Sequence, residues 1–121
     1  MKRFKGLLVA LLAALALFGG LAMPVGANRE SWEGITIEWS LREGGGIAVG
    51  ETRASTNLNL VSLTLSRFAA GNNPPLATSR HTCNRHAAGR IEINPRERVQ
   101  GIHTAGPRNG RNFNRVTIVS R

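Results

Sequence analysis

Alternation of apolar and polar side chains is the feature that most constrains the fold of this chain. Between positions 35 and 41 every second residue is large and apolar, namely Ile35, Ile37, Trp39 and Leu41. A period of two places successive side chains on opposite faces of a strand, so one face of this segment is expected to be buried. The Gly-rich stretch 42–46 then reverses the chain into Ile47, which predicts a hairpin.

Short strand signals separated by turns continue to the C-terminus. The strongest covers residues 58–68, where the apolar phase switches between Leu60 and Val61 and predicts a β-bulge or a crossing between sheets. Further strands are predicted at 78–82, 90–93, 98–104 and 114–119, with a type I turn at 94–97 and a loop at 105–112. No segment combines sustained helical periodicity with helix start and stop signals.

Turns that recur about every 8–12 residues are typical of a β-sandwich. We therefore expect an all-β fold, a small immunoglobulin-like β-sandwich of about seven short strands. A small closed β-barrel is the alternative. The chain has a single cysteine and so lacks the Cys–Trp–Cys pattern of antibody domains, and the prediction concerns architecture alone.

The N-terminus has the composition of a helical export signal. Three basic residues within the first five positions precede an apolar core at 7–18, and small residues follow up to Ala27. This order predicts a signal peptide over residues 1–27, cleaved after Ala27 or, as second choice, after Ala22. An uncleaved membrane anchor is the alternative, because residues 6–23 carry no charge and approach the length of a span.

Cleavage after Ala27 leaves residues 28–121, which suffice for one domain and not for two. We expect this single exported β-domain to be secreted or periplasmic, with no transmembrane span after cleavage.

The predicted mature chain is cationic, and its charge is unevenly distributed. Its 13 basic residues are all Arg and its 7 acidic residues are all Glu. Residues 28–53 hold five Glu against three Arg, whereas residues 54–121 hold ten Arg against two Glu. Arginine presents a planar fork that fits phosphate, sulfate and carboxylate groups. The C-terminal two-thirds is therefore predicted to attract anionic partners.

The arginines expected to bind an anion lie in the last predicted strands and their loops: Arg96, Arg98, Arg108, Arg111 and Arg115. The predicted function is a non-catalytic module for an anionic partner such as a cell-wall polymer, lipid head groups or an acidic protein. Nucleic acid is a further partner class, without sequence specificity, because Phe113 is the one aromatic residue among these arginines. No cofactor is expected, and a secreted inhibitor or toxin is another alternative.

Cys83 is the single cysteine, so no disulfide can form within the chain. In an exported protein such a residue is an inert buried thiol, an intermolecular bridge or a reactive group. A buried thiol is the first expectation, because free cysteine behaves mostly as a small hydrophobe. A disulfide-linked dimer through Cys83 is the alternative.

Metal binding is an alternative use of the same region. His81, Cys83 and His86, together with His103, supply the four nitrogen and sulfur donors that a zinc site needs. Neighbouring arginines would repel a dication, so the first expectation remains that no metal is bound.

A small secreted hydrolase is the alternative from a different functional class. Glu92, Arg96 or Arg98, and His103 fall on predicted neighbouring strands, where Glu could act as base, His as acid and Arg as stabiliser of a phosphorane. The stretch 90–96, continued to His103, resembles the sheet of small secreted microbial ribonucleases. That resemblance implies RNA cleavage by these residues.

Overall fold

The computed structural model describes residues 27–71 and 74–121, and within them the chain forms strands only. The strands are β1 (Ala27–Trp32), β2 (Ile35–Gly44), β3 (Ile47–Ala54), β4 (Leu60–Phe68), β5 (Ala77–Cys83), β6 (His86–Glu92), β7 (Arg98–Arg108) and β8 (Arg111–Ser120). The all-β prediction is confirmed. In this described part no helix is long and apolar enough to cross a membrane. The predicted signal peptide lies outside the described residues, except for Ala27, which begins β1.

The eight strands form two antiparallel sheets of four. The first sheet has the order β1-β2-β3-β6, and the second has the order β5-β4-β7-β8. Two separate sheets make the architecture a sandwich, as predicted, rather than the closed barrel that was the alternative. Sequential strands cross between the sheets three times, after β3, β5 and β6, so strands adjacent in sequence are often not adjacent in a sheet.

The predicted hairpin is present between β2 and β3. Gly44 pairs with Ile47, which leaves Gly45 and Gly46 as a two-residue loop, and their φ angles are 62° and 83°. Two consecutive residues with positive φ suit a type I′ turn, whose twist matches that of the flanking strands. Only glycine adopts this geometry without steric cost, so this pair sets the register of the hairpin.

A second hairpin replaces the loop predicted at 105–112. Arg108 pairs with Arg111 around Asn109 and Gly110, whose φ angles are 52° and 74°, so β7 and β8 continue into the predicted loop. Asn-Gly is a strong hairpin signal. The predicted loop was wrong because Gly106 and Pro107 do not end β7 but lie at a bulge in the β7–β8 pairing.

Two smaller predictions are corrected as well. Glu97 N donates to Asn94 O as expected for a turn, but Arg96 has a φ of 68°, which indicates type II and not type I. The phase switch before Val61 is not a bulge within a strand but fits the predicted alternative, a crossing between sheets, because β4 begins at Leu60 and the preceding β3 belongs to the first sheet. Leu58, which lies in the connection that precedes β4, is also buried in the core.

The core lies between the sheets and is filled by the inward-facing residues of each strand. Ile37, Leu63 and Leu65 are fully buried. Phe113 of β8 reaches across to the first sheet, and its ring centroid lies 5.2 Å from that of Trp39 in an edge-to-face arrangement. Trp39 is therefore a core residue, as its share in the Ile35 and Ile37 face predicts.

The outward faces of the two sheets differ in charge. The outward positions of the second sheet carry mostly Ser, Thr, Asn and Gln, together with exposed Val116 and Ile118. Each strand of the first sheet carries Arg or Glu at outward positions: Arg29, Glu38, Arg42, Glu51, Arg53, Arg90 and Glu92. The outward face of the first sheet is therefore better suited to bind a charged partner than that of the second sheet.

Candidate anion-binding site

A cleft of about 470 Å³ opens on the outward face of the first sheet, beside the turn from β5 to β6. Its lining residues come from β1, β2, the end of β3 and that turn: Arg29, Thr36, Glu38, Arg53, Ala54, Ser55, Cys83, Arg85 and His86. Three arginines and a histidine thus surround one glutamate. The excess of cationic side chains makes the cleft attractive to an anion.

Four of the lining residues form one row across the first sheet. The strand registers place side by side, from β1 to β6, Arg29, Glu38, Arg53 and His86. Residues directly opposite each other in a sheet project from the same face. Because neighbouring strands lie about 4.8 Å apart, the backbones of Arg29 and Arg53 are about 10 Å apart.

Backbone hydrogen bonds hold the β5–β6 turn against the connection that follows β3. Ala54 N donates to Arg85 O at 2.8 Å, and Leu58 N donates to Asn84 O at 2.7 Å. Asn84 Nδ2 donates in turn to Leu58 O at 3.0 Å. These bonds position the backbone of Arg85 at the rim of the cleft. Its exposed side chain forms no ion pair within residues 27–71 and 74–121, so its guanidinium is available to a ligand.

The other basic side chains of the cleft lie beside glutamates that remain open to solvent. Arg29 Nε lies 3.6 Å from Glu38 Oε2, with the two side chains 63% and 37% exposed. Glu51 Oε1 lies 3.3 Å from Arg53 Nη2 and also 3.3 Å from His86 Nε2. Exposed ion pairs of this kind contribute about 0–1 kcal/mol. A ligand anion can therefore take over these guanidinium groups at little cost to the fold.

Cys83 lies at the cleft with its side chain exposed, so the expectation of a buried thiol was wrong. The residue is the last of β5, where the chain leaves one sheet for the other and the core no longer covers it. Hydrogen bonds from the backbone of Arg85, His86 and Asn84 lower the pKa of the Cys83 thiol. The predicted disulfide-linked dimer stays a prediction.

The five arginines predicted to bind an anion are not among the residues that line this cleft. Arg98 and Arg108 are the two ends of β7, and a strand of that length separates them by about 33 Å. Arg96 lies beyond the first end and Arg111 beyond the second. The five therefore do not form one continuous surface.

Two of the five are engaged with the body of the sandwich. Arg115 Nη2 donates to both carboxylate oxygens of Glu30 at 2.6 Å, and its guanidinium lies 4.4 Å from the centroid of the Phe113 ring. Arg98 Nη1 donates to the carbonyl oxygen of Ala69 at 3.3 Å. These contacts link strands and loops of the fold, so they compete with binding of an external anion.

Two more of the five hold the β7–β8 hairpin to the β1–β2 turn. Arg108 Nε donates to the carbonyl oxygen of Glu33 at 2.7 Å, and Arg111 Nη1 lies 3.6 Å from Glu33 Oε2. Arg96 is exposed, with its backbone N donating to Arg121 O. Anion binding by the predicted set stays a prediction, now divided between the two ends of the molecule.

The predicted catalytic alternative is not assembled. His103 lies in the core with 0% exposure, and its ring bridges Thr52 Oγ1 at 2.9 Å and Thr117 Oγ1 at 2.8 Å. Burial lowers the pKa of His103 to about 4, against the opposing effect of a backbone hydrogen bond. Glu92 ends β6 in the first sheet, whereas Arg98 and His103 belong to β7 in the second. The strands predicted to be neighbours are in different sheets, and a substrate in solvent does not reach His103.

The four predicted metal ligands are also separated. His81 faces inward and packs on Gly89, His103 lies in the core, and His86 faces outward beside Glu51. The turn after Cys83 takes the chain from the second sheet to the first, so His81 and His86 belong to different sheets. In the described residues no group of three or more His, Cys, Asp or Glu side chains is arranged to hold a metal ion.

Arg29 and Arg53 were missed because residues 28–53 have a net negative composition, whereas Arg85 lies in the cationic stretch and was considered only as a neighbour of the predicted metal donors. The sequence does contain a signal for the position of Arg53. The Gly45–Gly46 loop pairs Gly44 with Ile47, and the same register places Arg53 beside Glu38 on the polar face of β2. Arg29 and Arg85 carry no such signal, because their positions depend on the pairing of β1 and on the path of the β5–β6 turn.

Comparison with protein-family models, with curated proteins and with solved structures finds no match for this chain.

Proposed function

We propose that this protein is an exported, non-catalytic β-sandwich that binds an anionic ligand in the cleft formed by Arg29, Arg53 and Arg85. The observation that carries the proposal is the composition of the cleft, in which three arginines and His86 face a single lining glutamate. The export part of the proposal rests on the signal-like composition of residues 1–27.

The fold places three arginine side chains around one cleft. Arg29 and Arg53 project from the same face of the sheet, and Arg85 is held at the rim by backbone hydrogen bonds of its own turn. A planar guanidinium binds phosphate, sulfate or carboxylate through two parallel hydrogen bonds. Several forks around one cleft bind such a group more tightly than a single exposed arginine does.

The five arginines predicted in the C-terminal region to bind an anion are less suited to this role. Arg98, Arg108 and Arg115 already donate to carbonyl or carboxylate oxygens of the fold. Arg85 has no such partner in the described residues, and Arg53 is held only by an exposed pair with Glu51. The cleft therefore offers cationic groups whose transfer to a ligand costs little.

Calorimetric titration with tripolyphosphate at low salt tests the proposal. Arg53→Ala and Arg85→Ala should each weaken binding by about fivefold, since one charge-assisted contact at an exposed site contributes about 1 kcal/mol. Arg80→Ala is the matched control, because it removes one exposed arginine from β5 in the second sheet, away from the cleft. Equal losses for Arg53→Ala, Arg85→Ala and Arg80→Ala would mean that binding reflects net charge alone and that the cleft is not the site.

A further inference from the structure

A second group of arginines lies on the same face of the first sheet, beyond the row formed by Ser40, Glu51 and Ala88. In the register of β2, β3 and β6, Arg42 lies beside Val49, and Val49 lies beside Arg90. This row is parallel to the row that holds Arg29 and Arg53. Arg42 lies four residue steps after Glu38 along β2, so the two rows are about 13 Å apart.

The second row carries unpaired charge. Arg42 and Arg90 are both exposed, and within residues 27–71 and 74–121 neither side chain forms an ion pair. Their backbones are two strand spacings apart, about 10 Å, which is the same separation as between Arg29 and Arg53. The face thus presents two pairs of arginines around Glu38 and Glu51, and its arginines, with Arg85 at the rim, outnumber its glutamates five to three.

These distances exclude a single small anion as the ligand of all four arginines. A phosphate or carboxylate group receives bidentate hydrogen bonds over about 3 Å, whereas the two rows lie about 13 Å apart. Only a ligand with several anionic groups along its length contacts both rows. The flat face of an open sheet leaves room for such a chain to extend beyond the cleft.

The same face lacks the groups that bind the bases of single-stranded nucleic acid. Base stacking on aromatic side chains supplies much of the affinity of such proteins. Both tryptophans of the first sheet occupy inward positions, with Trp39 in the core and Trp32 packed against it. Among the described residues, no outward position of this sheet holds Phe or Trp.

We infer that the cleft is one end of a longer surface, defined by Arg29, Arg42, Arg53, Arg85 and Arg90, that binds a linear polyanion without bases. The inference rests on the proposed function and names its ligand class. Charge complementarity between a repeating anionic chain and the two arginine rows carries it. The anionic groups of that chain are phosphates or carboxylates, since the guanidinium fork fits both.

The test compares ligands of different length and chemistry on the purified full-length protein. Tripolyphosphate fits the cleft alone, whereas long-chain polyphosphate and polygalacturonate reach both rows. The two polymers distinguish a phosphate source from a carboxylate source. We expect the long chains to bind at least tenfold more tightly per molecule than their short fragments, and more tightly than oligothymidylate of the same charge. Tighter binding of oligothymidylate would overturn the inference in favour of a nucleic-acid partner.

Matched double variants separate the inference from the proposed function. Arg42→Ala/Arg90→Ala should weaken binding of the long polymer about tenfold or more and leave tripolyphosphate binding within twofold. It should also lower the slope of log K against log salt by about 1.5, as expected for two lost contacts. Arg80→Glu lowers the net charge by the same two units on the second sheet and should change polymer binding by no more than about threefold.

The two possible failures give different results. If Arg53→Ala/Arg85→Ala leaves tripolyphosphate binding unchanged, the cleft is not an anion site and the proposed function fails. If that variant weakens tripolyphosphate binding but Arg42→Ala/Arg90→Ala matches the Arg80→Glu control on the polymer, the cleft stands. In that case the extended surface is refuted.

Discussion

The stability of the sandwich should fall as the pH drops below 6.5, because the core holds a neutral histidine. His103 is 0% exposed, and its two ring nitrogens lie 2.9 Å and 2.8 Å from the hydroxyls of Thr52 and Thr117. A neutral imidazole has one donor and one acceptor nitrogen, and a threonine hydroxyl serves either. Both nitrogens are therefore satisfied without a charge, and protonation would place a cation between the two sheets.

The sign and size of the effect follow from the pKa. Burial lowers the pKa of His103 from 6.5 to about 4, so the unfolded chain binds the proton first. The stabilisation from neutral His103 is complete above pH 6.5 and is lost between pH 6.5 and pH 4. The full difference corresponds to about 3 kcal/mol, and about 2 kcal/mol of it is lost by pH 5. Since small domains have an unfolding free energy of about 5–15 kcal/mol, this loss is a large fraction.

Urea unfolding between pH 8 and pH 5, followed by tryptophan fluorescence, measures this loss. Trp32 and Trp39 report unfolding because both pack against the Phe113 ring. His103→Gln keeps an amide that can donate and accept but does not titrate, so its unfolding free energy should lack the loss of about 2 kcal/mol. His86→Gln, at an exposed position beside Glu51, is the control and should retain the wild-type pH dependence.

Two results would refute the reasoning. One is an unchanged pH dependence in a folded His103→Gln protein. The other is an NMR titration in which the His103 ring protons of the native protein shift near pH 6.5. Either result would mean that the core accommodates the charged imidazole without cost.

Three further predictions concern other parts of the fold. Gly89→Ala should lower the unfolding free energy by about 1–3 kcal/mol, because a Cβ at that position overlaps the His81 ring. Adding His81→Ala should restore much of the lost stability in thermal melts. A Gly89→Ala protein as stable as the wild type would contradict this packing. Glu97→Gln should cost about 2 kcal/mol in urea unfolding, because the Glu97 carboxylate faces Arg67 Nε at 3.3 Å with the side chains 14% and 21% exposed. Glu51→Gln, at an exposed pair, should cost under about 1 kcal/mol, and equal costs for the two variants would count against this explanation. Iodoacetamide at pH 7 should alkylate Cys83 faster in the native protein than in urea, because backbone N–H groups lower its pKa in an exposed site; protection in the native state would disprove the exposed thiol.

The sequence predicted the strands more reliably than the site. Alternation from Ile35 to Leu41 predicted which side of β2 is buried, and the glycines at 45 and 46 predicted its hairpin with β3. Both are local properties, because period-two burial and turn conformation depend on residues close together in the chain. The Asn109–Gly110 turn was equally local and was available to the same reasoning.

The candidate site depends on pairings that local patterns do not determine. Glu92 and His103 are eleven positions apart in a region of successive strands, yet the chain crosses between sheets after β6 and separates them. Composition assigned the acidic character to residues 28–53, whereas the fold pairs those glutamates with arginines and leaves the cleft cationic. Net charge along a segment is an average, and binding depends on which charges share a face.

An all-β chain with alternating burial follows from the residues alone, because each strand records its own buried face. The pairing of the strands, the position of His103 between the sheets and the exposure of Cys83 depend on how the whole chain packs. The physical reason is that one buried face can be covered by several partner strands, and the choice among them depends on the packing of the whole core. The arginines of the cleft come together through that choice.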